Sequence, residues 1–183
     1  MHPTVLRYVA AKLAERATHH GPLDHRHDVL EVGSYDVNGS VRPLFPTASR
    51  YVGVDIVGGP GVDRVYDGLR LPFSASGFDV VVSTEMLEHC ARPWRIVAEM
   101  ARVVRPGGLV ILTARGWVVT KRWLDSAGVE VGEVATFGYH NPPDLWRYSG
   151  EAMRELALDA GLVVLDVTQD GLVPGWFLTA VKP

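Results

Sequence analysis

The sequence predicts an α/β protein: a mainly parallel sheet with helices on both faces, ending in an antiparallel hairpin. Three observations predict it. Short β-branched runs recur from Asp28 onward, as "DVLEVG", "RYVGVDI", "GVDRVY", "FDVVVST" and "GLVILTA". They are nearly continuously apolar, which is the pattern of parallel strands covered on both faces. The final two apolar runs, "LVVLDVTQ" and "WFLTAVK", are joined by only "DGLVPG". A link that short cannot make a parallel crossover, so these two strands should run antiparallel to each other.

Taken in order, the first element is a helix over residues 3–17. Val5, Leu6, Val9, Leu13 and Ala17 fall close to helical spacing there. His19, His20, His25 and His27 then crowd a polar stretch with no common metal-ligand spacing, which reads as a solvated connector. The first strand follows, and residues 38–45 read as a short helical or irregular piece. A helix over residues 93–104 has Pro93 at its start and "RPGG" just past its end, the usual proline-start, glycine-stop asymmetry. The strand rhythm breaks over residues 115–148. A helix over residues 150–160 then has Ser149 as its N-cap and Gly161 as its stop. One domain is expected, with an N-terminal helix and connector (1–27), a core (28–114), an aromatic segment (115–148) and a terminal helix and hairpin (149–183).

Composition narrows the class of function. A chain of 183 residues with 47% hydrophobic and 21% charged residues can bury one substantial core. Its net charge of −3 leaves no electrostatic footprint for nucleic acid, so a small-molecule partner is expected and nucleic acid is not. The single cysteine, Cys90, excludes an internal disulfide and fits a reducing, cytoplasmic setting. No apolar run reaches the roughly 20 residues of a membrane span, and no signal-peptide core is seen.

The chemistry gathers at the ends of the strands. In "VLEVGSYDVNGS" a strand runs into a glycine turn, with Glu31 just ahead of Gly33. A dinucleotide site would bring a pyrophosphate against such a turn, and a carboxylate there would repel it. Glu31 instead suits a ligand with positive charge, such as S-adenosylmethionine, which has an ammonium and a sulfonium and no phosphate. Asp55 ends the second strand, where an acid can accept both ribose hydroxyls of a nucleoside. Asp67 follows the third strand in "VYDGLRLPF", and Glu85 and His89 follow the fourth in "FDVVVSTEMLEHC". All lie where open α/β sheets bind their ligands.

In this order "LEVGS", "YVGVDI", "YDGLRLPF", "FDVVVSTEMLEH" and "VVRPGGLVIL" resemble the class I S-adenosylmethionine-dependent methyltransferases, in their small single-domain subgroup. The resemblance covers residues 28–114. It implies a Rossmann-like, seven-stranded sheet whose last strand is antiparallel. It also implies that Glu31, Gly33 and Ser34 cradle the methionine part of S-adenosylmethionine. Asp55 and Ile56 would hold the ribose and one adenine face, and Asp67, Gly68 and Leu69 the adenine edge. Glu85 would open the acceptor side. The chain departs from the family pattern at Tyr35, which stands where a second glycine is usual and either closes over the methionine part or caps the turn.

The acceptor is expected to be a small molecule. Residues 115–148 hold Trp117, Trp123, Phe137, Tyr139, His140, Trp146 and Tyr148, read either as a water-excluding cap or as a satellite core. An oxygen acceptor would need a base, for which His89 and His140 are the candidates. Glu85, Glu88 and His89 form E-x-x-E-H and, with His140, resemble the metal-ligand set of some O-methyltransferases, but no metal is expected because metal-free relatives share the Glu-His motif. The alternatives to a methyltransferase are a non-catalytic adenosine-ligand binder and a nucleotide-dependent oxidoreductase.

Overall fold

A computed structural model of the chain describes residues 3–20, 27–67, 69–124, 126–128, 130–135 and 144–183. Its sheet follows the apolar runs. β1 (Asp28–Val32), β2 (Arg50–Asp55), β3 (Arg64–Val65), β4 (Phe78–Thr84) and β5 (Val104–Arg115) are parallel neighbours in the order β3-β2-β1-β4-β5. All seven residues of β4 are buried, which is why that strand reads as an unbroken apolar run. β3 is only two residues long, shorter than "GVDRVY" suggests, and both are exposed at the sheet edge.

The chain's end closes the sheet. β8 (Val163–Gln169) and β9 (Gly175–Val181) form the expected antiparallel pair. β9 lies between β5 and β8 and is antiparallel to both, giving the seven-stranded order β3-β2-β1-β4-β5-β9-β8.

Helices cover both faces. Val5 and Val9 of α1 (Pro3–His20) pack with Val29, Val80, Val82 and Ile111 on one face. On the other, Ile96, Val97 and Met100 of α2 (Pro93–Val103) and Met153 and Ala157 of α3 (Gly150–Asp159) pack with Leu30, Val81, Leu112 and Leu178. Ser149 caps α3 by accepting from the Ala152 amide at 3.1 Å, and Gly161 follows with φ of +78°.

The structure differs from the sequence reading in two places near the helices and loops. His19 and His20 belong to α1 rather than to a connector, and His27 is buried at the entry to β1, its carbonyl accepting from Ser49. Within residues 115–148, β6 (Val118–Leu124) and β7 (Glu130–Ala135) form a separate two-stranded antiparallel sheet. His140, Phe137 and Tyr139 lie outside the described residues.

Candidate active site

The turn after β1 is built from long-range glycine contacts. Gly33 has φ of +81°, and a Cβ there would come within 2.5 Å of the Met86 side chain. The Gly33 and Ser34 amides both donate to the Val54 carbonyl, at 2.9 and 3.1 Å. The Tyr35 amide donates to Asp55 Oδ2 at 3.1 Å and the Asp36 amide to the Pro60 carbonyl at 2.8 Å. Four successive amides are therefore already engaged. A phosphate-binding turn needs such donors pointing at its ligand, and this one has none to offer from residues 33–36.

The side chains around the turn take different roles from one another. Ser34 is buried, its hydroxyl enclosed by the close approach of Gly53 and Gly61. Tyr35 lies with its ring on Gly59 and is partly exposed, so it covers the glycine loop after β2. Asp55 is half-buried, and each carboxylate oxygen accepts one amide: Tyr35 on Oδ2 and Val57 on Oδ1 at 3.3 Å. Each oxygen keeps a further lone pair for a ligand hydroxyl. Beside it Ile56 and Val57 are 64% and 52% exposed, a flat apolar surface next to a polar anchor. Asp67 accepts from the Leu69 amide at 3.1 Å in an Asx turn; Gly68 lies outside the described residues.

At the ends of β4 and β5 the charges interlock. Glu85 has φ of +52°, a left-handed conformation held by its amide donating to the Thr113 carbonyl and hydroxyl, both at 3.1 Å. Its Oε2 lies 2.8 Å from Nε of Arg115 in an ion pair. Glu88 is almost fully buried in a short 3₁₀ turn, Leu87–His89, and its Oε2 has no hydrogen-bond partner among the described residues. Burial, then the neighbouring Glu85 carboxylate, push the Glu88 carboxyl well above its usual range, against the pull of Arg115. His89 turns aside to Asp144, with Nδ1 3.1 Å from Oδ1, and Asp144 also pairs with Arg147. Glu85 and Glu88 thus meet at Arg115 while His89 turns away, His140 lies outside the described residues, and among the described residues no group of three or more ligating side chains could hold a metal.

Arg115 and Asp144 are the site residues the sequence reading missed. Arg115 was findable, because it ends the fifth strand and the same strand-end logic applies to it. Asp144 reaches the site only through tertiary structure: the Leu145 and Trp146 amides both donate to the Glu88 carbonyl, at 2.7 and 3.2 Å. Tyr8 and Lys12 have the Tyr-x-x-x-Lys spacing used by some oxidoreductases. The Tyr8 hydroxyl instead bonds Asp166 and Thr179, at 3.0 and 2.7 Å, on the sheet face beneath α1.

Glu31 is 2% exposed and accepts from the Tyr51 hydroxyl at 2.8 Å. Burial pushes its carboxyl up to about 7, opposed by the Tyr51 hydrogen bond and by nearby Arg42. An acid raised in the folded state stabilises the fold below its unfolded value near 4.5, and that contribution is lost as pH rises through about 7. The ligand-free protein should be more stable at pH 6 than at pH 8.5, by on the order of 1 kcal/mol from this group, and so melt higher. Glu88 adds to the same trend. Glu31→Gln keeps an acceptor for Tyr51 and should shrink the difference in thermal melts; an unchanged difference would mean that Glu31 titrates normally.

A family model for a methyltransferase domain matches residues 30–112. An uncharacterized methyltransferase of Mycobacterium marinum is 40% identical over 73 residues, which are 40% of this chain and 29% of the relative. The chain thus spans under a third of the length of the curated relatives it matches. The YcgJ protein of Bacillus subtilis shares the fold with a TM-score of 0.68 at 13% identity, covering 99% of each chain. So does a 1,6-didemethyltoxoflavin-N1-methyltransferase of Burkholderia thailandensis, solved with bound 1,6-didemethyltoxoflavin and S-adenosylhomocysteine. Its TM-score is 0.63 at 16% identity, over 97% of this chain and 77% of that one. Residues 30–112 thus match a methyltransferase domain, and the sheet order agrees with the fold of S-adenosylmethionine-dependent methyltransferase structures.

Proposed function

We propose that this chain transfers a methyl group from S-adenosylmethionine to a small-molecule acceptor held over the ends of β4 and β5. One observation carries the reading. The carboxyl edge presents Asp55, Asp67 and Glu85 in series, above the buried Glu31, while the amides of residues 33–36 are all engaged internally. That edge suits a cationic nucleoside without phosphates and does not suit a dinucleotide.

Bound there, S-adenosylmethionine supplies an electrophilic methyl on a sulfonium. Asp55 accepts from the ribose hydroxyls, and Ile56 and Leu69 flank the adenine. Asp67, with Gly68 beside it, accepts from the adenine amino group. Glu31, beneath Gly33, Ser34 and Tyr35, places negative charge near the methionine part. Glu85, fixed by Arg115 and Thr113, borders the acceptor. Most of the rate comes from holding acceptor and methyl in line. The acceptor's proton passes to a base, for which His89, oriented by Asp144, and His140 are the candidates.

Trp94, Trp117 and Trp146 are each partly exposed at this end of the molecule, and the rings of Trp94 and Trp146 meet edge to face at 6.1 Å. They offer apolar walls for an organic acceptor. The lone thiol, Cys90, suits a cytoplasmic setting. Among the described residues no helix is long and apolar enough to cross a membrane. Calorimetry with S-adenosylhomocysteine and, separately, with NAD⁺ tests the reading. Binding of the first alone is expected; binding of NAD⁺, or of neither, would overturn it.

A further inference from the structure

A second concave feature lies away from this edge. Residues 56–63, which link β2 to β3, form no helix. Next to that link is an open cavity of about 380 Å³, walled by Pro72–Ser74 and Gly77–Phe78 and topped by Arg50 and Arg64. Neither arginine dangles. The Arg50 guanidinium lies 4.6 Å from the centre of the Phe78 ring, and that of Arg64 5.6 Å from the Phe73 ring. The two rings meet edge to face at 5.0 Å, so both cations rest on one aromatic corner.

The wall beneath them is fixed as well. The Leu71 amide donates to Glu99 at 2.7 Å, and Arg102 donates to the Phe73 and Leu71 carbonyls at 2.8 and 3.0 Å. Among the described residues no carboxylate lines the cavity. Asp28, at 2.9 Å, and the Gly77 carbonyl, at 2.8 Å, both use Nη2 of Arg50, leaving its other N–H groups over. Asp63, the acid beside Arg64, is engaged by Arg42 and by the Gly53 amide. Arg64 itself makes no hydrogen bond or ion pair with the described residues. Two guanidiniums on one rigid corner, with no anion in the cavity they top, stand out in a protein of net charge −3.

We propose that this cleft binds a phosphate group, held by the forks of Arg50 and Arg64 with the Ser74 hydroxyl alongside. A guanidinium matches phosphate geometry in a bidentate way, with Arg64 supplying charge and Arg50, shared with Asp28, its remaining N–H donors. The site is independent of the methyl-donor reading, because none of its lining residues is among those assigned to the donor.

The test is a calorimetric titration with inorganic phosphate and with glycerol 3-phosphate, each in saturating S-adenosylhomocysteine. Saturable binding is expected in the wild type, weakened roughly tenfold or more in Arg64→Gln, with intermediate loss in Arg64→Lys, which keeps the charge without the fork. Affinity for S-adenosylhomocysteine should stay unchanged in both variants. Tighter binding of the ester would assign an esterified ligand, and tighter binding of inorganic phosphate the free ion. If Arg64→Gln does not fold, Arg64→Lys decides. Equal affinity in wild type and folded variant, or no saturation with either probe, would overturn the site.

Discussion

Asp55→Ala is expected to weaken S-adenosylhomocysteine binding at least tenfold while leaving the fold intact. A carboxylate accepting from ribose hydroxyls forms charge-assisted hydrogen bonds, each contributing about 1.5–3 kcal/mol. Its removal also frees the Tyr35 and Val57 amides that the two oxygens hold, so the loops on either side lose their common anchor. The core is untouched, because Asp55 is half-buried at the end of β2 rather than packed inside it. Asp55→Asn separates the two effects. It keeps one acceptor oxygen and turns the other into a donor, so it should fall between wild type and Ala. Calorimetry gives the affinities and circular dichroism checks folding. An Asp55→Ala protein that binds as well as the wild type would remove the ribose role.

Much of the fold was legible because burial on both faces leaves a direct trace. β4 is buried throughout and reads as unbroken apolar sequence, and the six-residue "DGLVPG" link forced β8 and β9 to be antiparallel. Edge elements leave weaker traces. In "GVDRVY" Asp63 and Arg64 are exposed, and the pairing shrinks to two residues. The hairpin of β6 and β7 mixes charged and apolar residues at close intervals, so no apolar run announces it.

The candidate site divides in the same way. Asp55 and Glu85 were readable, because a strand end is a local feature of the chain. The enclosure of Ser34 was not, since it depends on Gly53 and Gly61 arriving from the next strand and loop. In the sequence Glu88 stood out only as part of E-x-x-E-H, which says nothing of its burial. Its burial follows from residues 144–148 folding back over that turn, a contact more than fifty residues away in sequence. His27 misled for a related reason: a polar histidine cluster marked a solvated loop, while its last member is packed at the base of the sheet.

Tyr148 and Trp146, two residues apart, should respond to truncation in opposite ways. Tyr148 is 4% exposed, belongs to the main core with Met153 and Leu87, and donates its hydroxyl to the Leu87 carbonyl at 3.0 Å. Removing a buried aromatic of this size costs about 3–5 kcal/mol through lost burial and the cavity left behind. Tyr148→Ala should therefore lower the melting temperature steeply. Tyr148→Phe keeps the ring, and the Leu87 carbonyl still accepts from the Cys90 amide at 3.2 Å, so the loss should be only about 0.5–1.5 kcal/mol. Trp146 is 39% exposed, stacks edge to face on Trp94, and donates Nε1 to the Cys90 carbonyl at 2.7 Å. Its truncation opens no core cavity, so Trp146→Ala should melt within a few degrees of wild type and bind S-adenosylhomocysteine within a few-fold. Its effect belongs on the acceptor side, as slower turnover once an acceptor is in hand. Thermal melts of the three variants decide between the two halves of this segment: if Trp146→Ala melts as low as Tyr148→Ala, both aromatics are core and the acceptor wall is lost.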